Sequence, residues 1–118
     1  MKKVLIYIAS FFLVFTSCEA VFIENISNKS VVLISPSDKA EISTGEINFN
    51  WNPIEDAEVY QLQIAIPDFN NPLQILTDTI VSKTIFKEDL LVNEYEWRVK
   101  AKNSEYETAY SISAFVVK

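Results

Sequence analysis

Apolar and polar residues alternate strictly in several short segments of the chain. In the sequence EYEWRVKAKN (residues 94–103), aromatic or aliphatic residues occupy every second position, and mostly charged residues stand between them. A period of two places these sets on opposite faces of a β-strand. The segment therefore predicts a strand with a charged outer face and a core face formed by Tyr95, Trp97, Val99 and Ala101.

The same period recurs elsewhere, between segments rich in Asn, Asp, Pro and Ser that are typical of turns. It predicts further strands over residues 30–34, 46–51, 59–66, 73–79, 81–86 and 110–117. The strands at 73–79 and 81–86 are less regular, and we expect them at sheet edges. Residues 55–58 and 87–91 are each compatible with one helical turn. About seven short strands predict an all-β, seven-stranded Ig-like sandwich, in which Trp51 packs against Trp97 from the opposite sheet.

The amino-terminal segment has the layout of a secretory signal. Lys2 and Lys3 precede an apolar run over residues 4–15 that is shorter than the ~20 residues of a membrane span. The segment resembles a bacterial lipoprotein signal, in which Cys18 becomes the lipidated first residue, although Phe15 stands where Leu is usual. An ordinary cleaved signal and an uncleaved anchor are the alternatives. We expect a signal peptide over 1–17, a lipidated tether over 18–30 and one domain over 31–118.

The balance of charge is acidic. Ten basic and sixteen acidic residues give a net charge of −6, and loss of Lys2 and Lys3 with the signal leaves 8 − 16 = −8. Nucleic acid is disfavoured as a partner because a basic surface is needed to displace counterions from phosphates. We interpret the acidity as a contribution to solubility.

Three segments resemble a bacterial fibronectin type III-like domain: INFNWNPIEDAEVYQLQIA, LLVNEYEWRVKAKN and YSISAFVV. The resemblance covers residues 31–118 and implies a core signature of Trp51, Tyr60, Tyr95 and Trp97. It also implies a tyrosine corner, in which the Tyr95 hydroxyl bonds to backbone a few residues upstream. The sequence departs from the family pattern at Tyr110, where Trp is common, and in having a single glycine, Gly45.

The residue inventory argues against most catalytic chemistry. The chain has no histidine and one cysteine, which disfavours Cys/His zinc sites and nucleophiles activated by histidine. The acidic clusters at residues 55–58 and 68–71 match no recognised calcium loop, and we interpret them as solvated turns. We therefore predict no catalytic residue, no metal ligand and no cofactor.

Phe69 and Tyr106 lie in predicted loops and are the candidate ligand contacts, since either ring could stack on a sugar or a partner protein. The alternatives are that Phe69 is tucked over the sandwich edge and that Tyr106 is an ordinary surface residue.

The combined features predict a non-catalytic binding or protein-interaction module. Lipidated Cys18 would hold it in the cell envelope, and the resemblance implies the outer membrane. The partner would be an envelope protein or a glycan. The alternatives are a carbohydrate-binding accessory of a surface glycan-uptake system, a purely structural subunit of an envelope complex, and an enzyme, which would need a cleft lined by two carboxylates.

Overall fold

The computed structural model describes residues 22–118, so the predicted signal peptide and Cys18 lie outside the described residues. In this range no helix is long and apolar enough to cross a membrane. The described chain forms eight strands: β1 (Leu33–Ser35), β2 (Ala40–Ile42), β3 (Gly45–Trp51), β4 (Val59–Ile66), β5 (Gln74–Val81), β6 (Ile85–Leu90), β7 (Asn93–Lys102) and β8 (Ser111–Val117).

The strands form two packed sheets. One has the order β1-β3-β6 and the other β2-β8-β7-β4-β5. Only the β2–β8 pairing is parallel among the strand pairs described. The predicted all-β sandwich is confirmed, with one strand more than the seven expected. β2 escaped prediction because three residues are too few to display a period.

The two sheets meet through aromatic side chains. The ring centroids of Trp97 on β7 and Phe49 on β3 are 5.1 Å apart, and those of Trp97 and Trp51 are 6.3 Å apart. The Trp97 indole N–H donates to the Pro36 carbonyl oxygen at 3.1 Å. Burial of only the inner face of each sheet explains the alternation along β7, whose core face is buried as the pattern predicts: Tyr95, Trp97, Val99 and Ala101.

The two less regular strands, predicted over residues 73–79 and 81–86, lie further along the chain in the structure, as β5 and β6. Residues 87–91 were compatible with a helical turn, but β6 extends to Leu90 and pairs with β3 from Gly45 to Asn50. Both β5 and β6 lie at sheet edges, as expected. A strand at an edge is partly solvated on both faces, so its apolar and polar residues alternate less cleanly.

The predicted tether boundary at residue 31 requires a correction. Ile26 is fully buried and belongs to the hydrophobic core. The preceding Glu24 carbonyl accepts a hydrogen bond from the Asn103 side chain at 2.9 Å, and Lys29 donates to the Glu55 carbonyl at 3.2 Å. The packed domain therefore begins upstream of residue 31. Its start was missed because a single buried side chain produces no periodic pattern.

Turns in this glycine-poor chain use other residues in left-handed backbone conformations. Lys39 and Asp56 have φ values of 65° and 68°, and Gly45 has a φ of 127°. Only glycine adopts the last of these readily, because it lacks a Cβ atom. The single glycine therefore stands at the start of β3, where the backbone requires it.

Candidate functional site

The two sides of the sandwich are closed in different ways. On one side, which we call the closed side, the chain crosses from β1 to β2 and so joins the edges of the two sheets. The crossing is held to β8 by hydrogen bonds from the Lys39 amide to the Ala114 carbonyl (2.7 Å) and from the Ala114 amide to the Asp38 carboxylate (2.9 Å). On the other side, the open side, β5 and β6 face each other as edge strands.

The edge of β6 carries its own protection against pairing. Glu88 pairs with Ile47 of β3, a buried residue, so its carboxylate turns toward the inside of the sandwich and accepts a hydrogen bond from Thr77 of β5. Lys87 and Asp89 flank it in the sequence. Inward-pointing charges and lysines are devices that keep edge strands from pairing with other chains.

The edge of β5 lacks these devices. Its eight residues contain no lysine and no proline, and Asp78 is its only charged residue. The Asp78 carboxylate is held on the outer face of the sheet by the Gln61 side-chain amide at 3.0 Å. The register with β4 shifts once, at Leu76, and such an irregularity also disfavours regular pairing of an edge. The regular free edge of β5 therefore runs over the five residues Thr77–Val81.

Exposed apolar side chains concentrate at the open side. Ten large apolar residues are exposed in the described range, and six of them lie on β5, on β6 or in the adjoining loops. Leu91 and Val92 adjoin each other at one end of this side, whereas Ile80 and Ile85 lie near the other end on the outer faces of the two sheets. Adjoining exposed apolar residues mark a contact surface more often than scattered ones do. The six residues are Leu73, Ile75, Ile80, Ile85, Leu91 and Val92.

A cavity of about 290 Å³, which we call the end cavity, opens between the two sheets at one end of the open side. Leu91 and Val92 at its rim are 80% and 64% exposed. Tyr95 lines the cavity and donates from its hydroxyl to the Leu91 carbonyl at 2.7 Å, which is the bond expected of a tyrosine corner. Burial raises the pKa of this phenol, with a further contribution from the nearby Glu88 carboxylate. The corner thus fixes the loop that forms the rim.

The end cavity and the amino end of the described chain lie at opposite poles. β7 begins beside the cavity at Asn93 and ends at Lys102. The next residue, Asn103, donates to the carbonyls of Glu24 (2.9 Å) and Asp56 (3.2 Å). Ten residues of strand separate the two poles by about 30 Å, at ~3.4 Å per residue.

Phe69 does not stand free in its loop. Its backbone amide donates to the Glu96 carboxylate at 3.1 Å, and its ring lies 4.0 Å from the guanidinium carbon of Arg98. The Tyr110 ring lies 4.2 Å from the same carbon. The loop therefore folds back over the outer face of the sheet at β7, which is not an edge strand, whereas the alternative interpretation had placed Phe69 over the sandwich edge. Arg98 and Tyr110 were not predicted as its neighbours.

Tyr106 shares none of these contacts with Phe69, Arg98 and Tyr110. It is half-buried and packs against the hydrophobic core. Its amide donates to the Asn103 side-chain oxygen at 2.8 Å, and its carbonyl accepts from the Asn103 amide at 2.9 Å. The structure therefore places the two candidate ligand contacts apart and assigns Tyr106 to the turn before β8.

The outer face of the larger sheet carries a row of polar contacts across three strands. Arg98 donates to the Gln63 side-chain oxygen at 2.8 Å, and Lys102 donates to that of Gln61 at 3.2 Å. Hydrogen bonds from Gln61 and Gln63 lower the pKa of Asp78, and the charges of Arg98 and Lys102 act in the same direction. These side chains satisfy one another's hydrogen-bonding groups, so we interpret the network on this face as structural.

A second concave surface, of about 350 Å³, lies over β7 and β8 and has an acidic lining. Within residues 22–118, no three acidic, histidine or cysteine side chains are grouped closely enough to hold a metal ion. Asp68 is committed to the Asn71 amide at 2.8 Å, and Glu96 to the Phe69 amide. In the described chain Asp68 thus serves its own turn, and in the 55–58 cluster the Asp56 carboxylate lies 3.9 Å from the Lys29 ammonium.

The strongest candidate site was missed by sequence reasoning. The free edge of β5 cannot be recognised without knowing the strand order. One signal was available: Leu91 and Val92 are two adjacent large apolar residues in the segment between the strands predicted over residues 81–86 and 94–103. That pattern is unusual for a turn in water.

Comparison with solved structures identifies the fold. The fibronectin(III)-like modules of CbhA from Clostridium thermocellum match with a TM-score of 0.52 and 16% sequence identity, over 75% of this chain and 94% of that chain. The fibronectin type III domain of human fibronectin type III domain containing protein 3 matches with a TM-score of 0.45 and 12% identity, over 78% and 89% of the respective chains. No protein family model matches the sequence, and no curated protein sequence matches it. The sheet orders and the first of these similarities together show that the chain folds as a fibronectin type III-like sandwich.

Proposed function

We propose that this protein is a non-catalytic protein-interaction module, anchored in a bacterial cell envelope through lipidated Cys18. The observation that carries the proposal is the apolar surface at the open side, which includes the end cavity and its rim residues Leu91 and Val92. A solvent-exposed cavity rim of this kind is stabilised when a partner removes it from water.

The position of this surface suits an anchored module. The lipid would be joined to the pole where Glu24 is bound to Asn103, whereas the end cavity lies at the other pole. Five residues lie between Cys18 and Glu24, and the six Cα–Cα steps that join them span about 20 Å when fully extended. The anchor would hold the domain close to the membrane and direct the end cavity away from it, toward other envelope proteins.

The contacts of the aromatic residues favour a protein partner over a glycan. Sugar recognition by stacking requires an exposed ring face, but Phe69 and Tyr110 both lie against Arg98. Both rings are also half-buried. The exposed side chains of the open side are aliphatic, and these contribute to protein interfaces through burial.

Site-specific photo-crosslinking in living cells tests the interaction. A photoreactive residue at Leu91 is expected to give an adduct with an envelope protein, because Leu91 stands at the rim of the end cavity. The matched control is Ile112, which is 51% exposed on the outer face of β8. Equal adducts from both positions, or none from Leu91, would contradict an interaction at this pole.

The anchor is tested by intact-protein mass spectrometry of membrane-extracted chain beside a Cys18→Ala variant. The expected mass is that of residues 18–118 plus acyl groups, and the acyl mass should be lost in the variant. A cleaved chain without acyl groups would contradict the anchor while leaving the interaction module intact.

A further inference from the structure

We propose that the interaction surface takes an extended segment of a partner protein, which adds as a new strand to the free edge of β5 and inserts an apolar side chain into the end cavity. This inference rests on the proposed function and specifies its binding mode. Backbone hydrogen bonds along an edge strand supply affinity in such a mode, and pockets for alternate side chains supply specificity.

The free edge of β5 is the first reason. β5 pairs with β4 on one side only, so half of its backbone donors and acceptors face outward over the eight residues Gln74–Val81. Water satisfies these groups in the free protein, and the backbone of an added strand can replace that water as their hydrogen-bond partner. From Thr77 to Val81 the register with β4 is regular, so this stretch can template a straight strand.

No other edge in the described range offers the same opportunity. β1 and β2 are three residues long, and the segment between them covers their side of the sandwich. β6 turns the Glu88 carboxylate inward at the position where an added strand would place an apolar side chain. Because desolvating a carboxylate is costly, Glu88 disfavours an apolar strand at β6. Beside β5 the same carboxylate accepts the hydrogen bond from Thr77, and a cation on the incoming strand would offset its charge.

The end cavity is the second, independent reason. Gln74, the first residue of β5, lines it together with Leu76, so a strand that pairs with Thr77–Val81 and continues past the register shift at Leu76 passes its mouth. Successive side chains of that strand alternate between the outer face and the gap between the sheets. The gap is bordered by the half-buried Val81 and Phe86, which pack against the core from the two edges. At about 290 Å³ the cavity has room for an apolar side chain.

The negative charge of this protein indicates which residues the partner segment should contain. The protein has a net charge of −6, and Glu88 stands at the gap between β5 and β6. A segment with apolar residues at alternate positions and one lysine or arginine near Glu88 complements this surface.

A second copy of this chain fits less well as the occupant. Two copies that pair β5 with β5 about a two-fold axis run antiparallel, which sends their amino ends to opposite poles. Chains anchored through Cys18 in one leaflet have their amino ends on the same side. A strand from a different protein carries no such restriction.

The test uses the full lipidated chain in detergent micelles and a displayed library of random peptides of about ten residues, the upper length of common strands. Enriched peptides are expected to alternate apolar and polar residues. Hydrogen exchange measured by NMR with an enriched peptide should then slow by about tenfold or more at alternate amides of β5, with β6 unchanged.

Two variants with matched controls locate the binding. Thr79→Lys places an inward charge on β5 opposite Leu62, and should weaken peptide binding by about tenfold or more. Leu91→Asp alters the exposed cavity rim without touching the core and should weaken binding similarly. Ile112→Lys and Val32→Asp, on exposed residues away from the open side, should leave binding unchanged.

Three results would overturn the strand-addition mode. These are protection of β6 or another surface in place of β5, no enrichment of any peptide, and a free chain that is already dimeric with β5 protected. If Leu91 crosslinks to a partner and any of these results is also found, strand addition is rejected and the proposed interaction function is retained. Absence of crosslinking would instead remove the proposed function itself.

Discussion

The closed side and the open side of this sandwich solve the same problem differently. On each side two sheets end in edge strands whose outward backbone groups have no partner strand. On the closed side the chain crosses between the sheets through Pro36, and the edge strands are three residues long. On the open side the edge strands have eight and six residues, and the chain crosses only at their far end, between Val81 and Ile85.

The two edge strands of the open side differ in how well they are protected against pairing with other chains. A domain that had only to avoid aggregation would shorten or charge every long edge. Here β6 carries Lys87, Glu88 and Asp89, whereas Asp78 is the only charged residue of β5, which also contains the exposed Ile75 and follows the exposed Leu73. Selective protection is consistent with one edge being kept available for a partner.

The largest expected loss of stability comes from a substitution that weakens the closed side. Trp97→Ala should destabilise the protein by about 3 to 5 kcal/mol, because it empties the centre of the core. It also removes the indole N–H that holds the Pro36 carbonyl of the crossing segment. Denaturant unfolding measures the change, with Trp51→Ala as a core truncation of similar size. A loss of about 1 kcal/mol or less in Trp97→Ala would contradict the packing described here.

The next effect concerns the amino-terminal segment, which packs against the pole opposite the end cavity. Ile26→Ala should cost about 2 to 5 kcal/mol, the range for truncating a fully buried isoleucine. Phe22→Ala is the control, since Phe22 is 88% exposed and should change stability by about 0.5 kcal/mol or less. Equal unfolding midpoints for the two variants would restore the original boundary, with the tether extending to residue 30.

A smaller effect is expected at the rim of the open side. Tyr95→Phe keeps the ring in the core and removes the hydroxyl bonded to the Leu91 carbonyl, at a cost on the order of 1 kcal/mol. Amide exchange at Leu91 and Val92 should quicken at the same time, because the bond holds their loop. Unchanged exchange would mean that the rim is fixed by packing alone.

The smallest effect depends on pH and lies on β5 itself. The folded state lowers the pKa of Asp78, so ionised Asp78 stabilises the fold above its ordinary pKa of about 4. That contribution is lost as pH falls through the lower folded value. Asp78→Asn should therefore lower Tm slightly at neutral pH, and the difference from the native chain should vanish in acid. A difference that persists in acid would assign the effect to something other than ionisation.

Prediction from sequence succeeded where a strand lies between the core and solvent. β3, β4, β7 and β8 each have one buried face, so their apolar residues must alternate, and their positions were predicted within a residue at each end. β5 and β6 were shifted because an edge strand is partly solvated. The contact between Phe69 and Arg98 joins positions far apart in the chain, and no local pattern signals it.

The sequence by itself determined the all-β class, the aromatic core and the inward face of β7, because burying apolar area imposes a period of two on any half-buried strand. It also determined the acidic charge and the absence of histidine chemistry. Only the tertiary structure decided that β5 and β6 are neighbours across an open gap, that β5 is the unprotected edge, and that the end cavity opens beside it. Strand order and edge exposure depend on which distant segments pair, and that information resides in the packing of the whole chain.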